Sequence, residues 1–227
     1  MSAARLTEGV CTALSGLSSE QTPPGPGGPP SPEGEGSERA LPYAIALPEK
    51  GGSRGAFNGI GDNPADGSPP KNPITVGFVL VPGFALMSYA CAIEPLRAAN
   101  RLSGRELYRW WHAAPGNEPV TASNGVAILP DRRIGDDKAQ ADLVLVCAGG
   151  NPATFANKEL FAWLRRLARR GITIGGISGG PYILANAGLL EGRRCTLHWE
   201  HVPSFQETFP GIDLSQSLFE IEDDRIT

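Results

Sequence analysis

A serine set among glycines is the residue of this chain best placed to do chemistry. Ser178 lies within the run Gly175–Pro181. An apolar stretch, Gly171–Ile174, precedes that run, and a helix-like stretch, Tyr182–Ala187, follows it. This order predicts a buried strand that turns sharply into a helix with Ser178 at the corner, because glycine tolerates strained turns and close packing. The N–H groups that begin such a helix favour negative charge beside the serine.

The Ser178 corner has three interpretations. The first is a serine hydrolase, since the residues around Ser178 match G-x-S-x-G. In such enzymes an acid and then a histidine follow the serine, whereas here acidic residues such as Asp213 follow His112, His198 and His201. The second is that serine stands where a relative has a nucleophilic cysteine. The third is that the hydroxyl only binds a ligand, because it is a poor nucleophile without a base.

Composition restricts the class of protein. The chain has 227 residues and a formal net charge of −4, which predicts one α/β domain with a tail and no nucleic-acid binding by this segment alone. It has no membrane-length apolar run and no signal-peptide pattern, and we expect no membrane partner. The cysteines are widely spaced, which predicts a tail thiol (Cys11) and buried thiols at Cys91, Cys147 and Cys195 in a reducing cytoplasm. We expect neither a metal nor a cofactor.

The chain changes character near residue 73. Residues 1–72 are rich in proline and glycine and have no periodicity, so we predict a disordered tail that cannot offset the entropy of ordering by burial. Residues 73–227 alternate strands with helices, which predicts an α/β fold with a doubly wound, mostly parallel sheet and a site at its carboxyl edge. Pro95 predicts a kink or break in the first helix. The expected strands are Ile74–Leu80, Glu106–Ala114, Asp142–Cys147 and Leu218–Ile221. The expected helices are Ser88–Leu102 and Asn157–Arg170. We also expect a hairpin over Val120–Ile128 and a turn at Asp223–Asp224.

Five segments carry a resemblance to a known family. They are Val81–Phe84, Ile93–Asn100, Leu107–Trp110, Cys147–Gly150 and Ala187–Trp199. Together they resemble the amidase-like N-terminal domain of GlxA-type, AraC-family transcriptional regulators. That domain is similar to the ThiJ/PfpI group of the class I glutamine amidotransferase-like superfamily. The resemblance implies a homodimer, more domain after Thr227 and a DNA-binding helix-turn-helix pair beyond it. We therefore expect the domain to be incomplete at its C-terminus, with an open sheet edge.

Two departures from the enzymes of that group favour a sensor. The enzymes carry cysteine at the position of Ser178 and an acidic residue at the position of Ser88. Their cysteine works as a thiolate beside the helix start and the acid. Serine at both positions removes the low-pKa nucleophile and its proton partner. The alternatives are a cytosolic ThiJ/PfpI-type enzyme that acts on amides, isonitriles or aldehydes through Ser178, and an interaction scaffold without a ligand.

The expected ligand is a small zwitterion or amine. Backbone amides at the glycine turns favour a carboxylate, and Trp199 and Glu200 would hold a cation if they face inward. The alternative is a packed Trp199 with a solvent-facing Glu200. The predicted ligand-binding residues are Phe84, Ser88, Gly149, Gly150, Asn151, Ser178, Gly179, Trp199 and Glu200.

Four further residues have both a structural and a functional interpretation. His198 is either a hydrogen-bonded structural residue or a base. Glu94 lies two helical turns from the predicted pocket, which favours a structural or interface role. Trp110 and Trp111 alternate across a strand, so at most one faces the core and the other suggests a covered surface such as a subunit contact.

Overall fold

The computed structural model describes residues 72–227. The predicted tail, residues 1–72, lies outside this part of the chain except for Asn72. The strands are β1 (Ile74–Leu80), β2 (Tyr108–Ala114), β3 (Val120–Thr121), β4 (Ala127–Ile128), β5 (Arg132–Arg133), β6 (Leu143–Ala148), β7 (Thr173–Ser178), β8 (Arg194–Cys195), β9 (Asp213–Leu214), β10 (Ile221–Glu222) and β11 (Arg225–Ile226). The helices are α1 (Leu86–Ser103), α2 (Lys158–Arg169), α3 (Gly180–Asn186) and α4 (Val202–Thr208), and two 3-10 turns span Pro152–Thr154 and Trp199–His201.

A seven-stranded sheet has the order β10-β11-β7-β6-β1-β2-β5. All its neighbouring pairs are parallel except β10 with β11. The chain winds outward from β1 in both directions, so the predicted doubly wound, mostly parallel sheet is confirmed. The carboxyl ends of β1, β6 and β7 therefore meet at one edge, which is where such sheets bind ligands.

Apolar side chains cover both faces of the sheet. On one face the core contains Trp163, Leu164 and Leu167 of α2, and on the other Phe78, Phe84 and other residues meet α1. Side chains alternate along a strand, so Trp111 and Trp110 point to opposite faces. Trp111 packs against Trp163, with ring centroids 6.1 Å apart, and Trp110 is half-buried on the α1 face. Both tryptophans thus contact core, and Trp110 needs no subunit contact to be covered.

The first helix runs through its proline. The predicted break at Pro95 is wrong, because α1 is a single helix from Leu86 to Ser103. Pro95 and Cys91 are both exposed, so water can satisfy the Cys91 carbonyl that loses its amide partner. The same outward position corrects a second prediction. Cys91 is an exposed thiol, whereas Cys147 and Cys195 are buried as expected.

Local sequence signals place α2 and the β3–β4 hairpin correctly. Asn157 caps α2 by accepting a hydrogen bond from Leu160 N at 2.9 Å, as predicted from its position. β3 and β4 pair antiparallel around Gly125, whose φ is 88°. No helix among residues 72–227 combines the length and apolar character needed to cross a bilayer.

The C-terminal hairpin differs from the prediction. The expected strand Leu218–Ile221 is wrong for most of its length, since β10 begins only at Ile221 and Leu218 is fully exposed. The turn at Asp223–Asp224 is confirmed. After it, β11 pairs with β7, and β10 forms this edge of the sheet.

Candidate functional site

The predicted serine corner is present. β7 ends at Ser178 and α3 begins at Gly180. Ser178 has a φ of 60°, one of two non-glycine residues with a positive φ in the described part of the chain. This left-handed conformation is costly for a residue with a Cβ and clusters at functional sites. The strain is a specific feature of the elbow and identifies Ser178 as the centre of the candidate site.

Glycines make the corner possible because strand and helix approach closely there. A Cβ at Gly180 would collide with the carbonyl oxygen of Val146 on the neighbouring strand. A Cβ at Gly176 would lie 2.5 Å from the backbone nitrogen of Pro181. Any larger side chain at either position would push α3 away from the sheet. The glycines around Ser178 thus set the geometry of the elbow.

The elbow offers fewer free amides than the sequence suggests. Gly179 is buried, and its N–H donates to Ala148 O at 3.0 Å. Pro181 has no N–H, and Tyr182 N donates to Gly179 O at 3.1 Å. The Gly179 amide therefore closes the turn between β7 and α3, and ligand contact by Gly179 stays a prediction.

The glycine turn after β6 brings two loops together. Gly149 is buried, and a Cβ there would lie 2.8 Å from Gly83 O and 2.9 Å from Ala85 N. Gly149 therefore allows close packing against the loop that follows β1, and ligand contact by Gly149 stays a prediction. Gly150, with a φ of 60°, and Asn151 are exposed beside it and stay candidates for ligand contact.

Phe84 and Ser88 differ in position. Phe84 is 0% exposed and packs edge-on against Tyr89, with ring centroids 5.6 Å apart. The core covers the ring completely in this structure, and ligand contact by Phe84 stays a prediction. Ser88 is half-buried in the first turn of α1 and stays a candidate.

The segment that contains Trp199 lies beside the corner but does not enclose it. His198 N donates to Ser178 O at 3.1 Å. The following 3-10 turn directs His201 inward, where it is 7% exposed, and leaves Trp199 75% exposed and Glu200 exposed. Trp199 and Glu200 therefore do not face inward around a ligand site, and Trp199 is not packed in the core either. His198 Nδ1 accepts a hydrogen bond from Glu200 N at 3.4 Å, which favours the structural interpretation of His198.

The polar groups around Ser178 are bonded to other partners. Within residues 72–227 no hydrogen bond joins the Ser178 hydroxyl to a histidine or carboxylate. Burial raises the pKa of the Cys147 thiol to about 12, so Cys147 is not a neutral-pH nucleophile. Glu94 pairs with Arg97 on the outer side of α1 at 2.7 Å, which agrees with a structural role. The same residues contain no group of side chains arranged to hold a metal ion.

A buried polar pair between α1 and β2 has no signal in the sequence. Tyr89 OH and His112 Nε2 lie 2.9 Å apart, and His112 Nδ1 lies 3.7 Å from Asp131 Oδ2. Burial raises the pKa of Tyr89 to about 12. Burial also lowers the pKa of His112, against the opposing effect of Asp131. The packing of α1 on the sheet, strand β2 and the loop before β5 bring these distant residues together.

An open groove lies elsewhere, beside β5. Its volume is about 540 Å³, and its lining residues are Asn117, Leu129, Pro130, Asp131, Arg132, Arg133 and Asp136. None of them is a predicted ligand residue. The Ser178 corner is thus a surface-accessible elbow with half-buried and exposed candidates around it, and the described groove is a separate feature.

The fold and the elbow define the class of protein. The model of the DJ-1/PfpI family matches residues 76–214, which is more than half of the chain. The chain therefore belongs to the DJ-1/PfpI family. Its structural neighbours agree with this assignment. Drosophila melanogaster DJ-1beta has a TM-score of 0.57 at 23% identity, over 69% of this chain and 81% of that chain.

Within this family the chain is similar to transcriptional regulators. It is 47% identical to the HTH-type transcriptional regulator CdhR of Pseudomonas aeruginosa, over 66% of this chain and 44% of that protein. It is 45% identical to the HTH-type transcriptional regulator GlxA of Rhizobium meliloti, over 70% of this chain and 49% of that protein. An AraC family transcriptional regulator from Pseudomonas putida has a TM-score of 0.60 at 26% identity, over 68% of this chain and 82% of that chain. The resemblance to GlxA-type regulators is confirmed, and the chain spans about half the length of these curated relatives.

Proposed function

We propose that residues 73–227 form the effector-sensing domain of a bacterial transcriptional regulator. The domain would bind a small metabolite without converting it. The observation that carries this proposal is the Ser178 elbow itself, a strained corner whose hydroxyl is hydrogen-bonded to no histidine or carboxylate among residues 72–227. A serine hydroxyl needs a base to become a nucleophile. The similarity to HTH-type regulators supports the same function.

The remaining parts of the regulator are proposed from its relatives. Because the chain covers 44% and 49% of CdhR and GlxA, we place DNA binding in a helix-turn-helix outside this chain. Regulators of this kind act on DNA in the cytoplasm, and operator symmetry commonly mirrors a two-fold protein dimer. We therefore propose a cytoplasmic homodimer.

The proposed ligand is a small zwitterion or amine. Exposed Trp199 and Glu200 lie just after His198, whose amide is bonded to the Ser178 carbonyl. An aromatic face and a carboxylate at the rim suit a cation, and closure of this rim over a ligand would bury Trp199. Gly150, Asn151 and the hydroxyls of Ser88 and Ser178 are the polar groups proposed for the other end of the ligand.

Calorimetric titration with betaines, carnitine and basic amino acids tests the ligand. Trp199→Ala should weaken binding about tenfold, and Trp199→Phe should weaken it less, because a cation–π contact contributes about 0.5–2 kcal/mol. Trp110, which packs on the sheet face, offers Trp110→Phe as a control that should keep the affinity. Binding that is equally strong in Trp199→Ala would contradict the role of Trp199. Binding of neutral or anionic compounds alone would exclude the zwitterion.

The alternative is a ThiJ/PfpI-type enzyme such as an amidase or isonitrile hydratase. One observation favours it, namely the positive φ of Ser178, a strained elbow of the kind that presents nucleophiles. Turnover of amides, esters and isonitriles by the purified chain and by Ser178→Ala decides between the two functions. A rate above background that Ser178→Ala abolishes would establish the enzyme and exclude the non-catalytic sensor.

A further inference from the structure

A short segment connects the Ser178 corner to the C-terminal hairpin. We call residues 194–198 the strap. At one end of the strap, His198 N donates to the carbonyl oxygen of Ser178 at 3.1 Å. Two residues earlier, Thr196 is 5% exposed, and the preceding Cys195 is 0% exposed. The strap thus has a buried centre, Cys195 and Thr196, and its last residue is hydrogen-bonded to the backbone of the elbow.

The centre of the strap is bonded to residues 215–227. Thr196 N donates to Thr227 Oγ1 at 2.9 Å, and Thr196 Oγ1 donates to Ser217 O at 2.8 Å. Ser215 N donates to Cys195 O at 2.8 Å. Because Thr196 is buried, losing either of its bonds would leave a polar group without water. The strap and residues 215–227 therefore either move together or break these hydrogen bonds at a cost in free energy.

The hairpin itself is joined to the corner by a second connection. β11 pairs with β7 at Ile174 and Gly175, in the strand that ends at Ser178. Thr227 N donates to Glu220 O at 2.9 Å, and Glu220 N donates to Thr227 O at 2.7 Å. The backbone of Thr227 thus closes the hairpin, and its hydroxyl accepts the hydrogen bond from Thr196 N in the strap. A shift of the strap acts directly on the bond pair that closes the hairpin.

We propose that the strap transmits occupancy of the Ser178 corner to the hairpin formed by β10 and β11. A group that binds at the corner displaces the Ser178 carbonyl, the His198 amide follows, and the Thr196 bonds to Thr227 and Ser217 loosen. The C-terminal hairpin then opens more readily. The use of this device in signalling rests on the proposed sensor function. The coupling itself is a property of the described hydrogen bonds and can be tested without a metabolite.

A covalent adduct at the corner serves as the probe. Ser178→Cys is prepared in a background with Cys11→Ser and Cys91→Ser, and residue 178 is alkylated with N-ethylmaleimide. Cys147 and Cys195 are 1% and 0% exposed and should not react in the folded protein. Amide hydrogen exchange, followed by NMR, should become about fivefold faster at Glu220 and Thr227, the effect of weakening one hydrogen bond on local opening.

Loss of the strap bonds should remove this response. In Thr227→Val, which removes the hydroxyl that accepts the Thr196 N–H, the adduct should change the exchange of Glu220 and residue 227 by less than about twofold. Thr227→Ala replaces this variant if it does not fold. Thr196→Val removes the second bond, to Ser217 O, but keeps the amide bond to Thr227, so it should reduce the response only in part. Thr121→Val, at the exposed residue of β3, is the matched control and should keep the full response.

Two results would overturn the proposal. One is an adduct that leaves the exchange of Glu220 and Thr227 unchanged. The other is a full response in Thr196→Val and Thr227→Val, which would assign the coupling to the β7–β11 pairing. Where residue 178 resists alkylation, Ser178→Gln compared with Ser178→Ala provides the larger group at the corner. Failure of every metabolite to bind would count against the sensor function alone, since the adduct needs no ligand.

Discussion

The hydroxyl of Tyr89 should stabilise the domain through His112, and Tyr89→Phe isolates that bond. The substitution keeps the ring, which packs edge-on against Phe78 and Phe84 at centroid distances of 5.5 and 5.6 Å. It removes only the 2.9 Å bond to His112 Nε2. The His112 side chain is 14% exposed, so its nitrogen would be left largely without water. A buried group that loses its partner costs about 1–3 kcal/mol, and we expect a loss of about 2 kcal/mol in the free energy of unfolding.

Urea unfolding at pH 7.5 measures this loss. The midpoint should fall while the m-value stays constant, because the surface exposed on unfolding is unchanged. The melting temperature should drop by about 4–8 °C for a domain of this size. Tyr108→Phe is the matched control, since Tyr108 is half-buried and its hydroxyl has no hydrogen bond within residues 72–227. If Tyr89→Phe lost no more stability than Tyr108→Phe, the energetic role of the Tyr89–His112 pair would be refuted.

Three further predictions concern pH, the cap of α2 and the tail. Burial lowers the pKa of folded His112 below 6.5, so its stabilisation should be complete above that pH and fall as pH drops from 6.5 toward the folded pKa. The urea midpoints at pH 7.5 and 5.5 should differ less in His112→Gln than in the unmodified protein. An equal difference in the two proteins would exclude His112 as the source of this pH dependence. Asn157→Ala should cost about 1 kcal/mol through loss of the cap, and a similar loss in the exposed-loop control Asn117→Ala would contradict this. Limited proteolysis should cut within residues 23–67 and leave a core that begins near Lys71 with its melting transition intact, whereas protection of that stretch would argue against a disordered tail.

The structure limits which groups around Ser178 are available to a ligand. The elbow is present, but the Gly179 amide is used inside the fold and Gly149 packs against the neighbouring loop. Trp199 is exposed beside the elbow. A ligand would therefore contact half-buried hydroxyls and exposed groups at the rim, and binding should rearrange that rim. This expectation connects the proposed sensor function to the strap, whose first hydrogen bond starts at the same elbow.

Local sequence was sufficient for the central elements. The sequence predicts Ile74–Leu80 as a strand, and β1 has the same bounds. A short, continuous apolar run of this length is typical of a strand that is buried on both faces. Asn157 was predicted as a cap because capping depends on residues three positions apart. The Leu218–Ile221 strand was wrong because its apolar residues also fit an exposed loop, and the hairpin was placed instead by the pairing of β11 with β7.

By itself the sequence determined the alternation of strands and helices, the serine corner and the family, since these depend on residue type and on neighbours along the chain. Only the tertiary structure decided which groups at the corner are free. The Gly179 amide was assigned to Ala148, His198 was placed against Ser178, and Trp199 was left in solvent. The Tyr89–His112 pair likewise joins residues 23 positions apart. Such contacts depend on which strands become neighbours in the sheet, and that order is set by packing of the whole domain rather than by any local pattern.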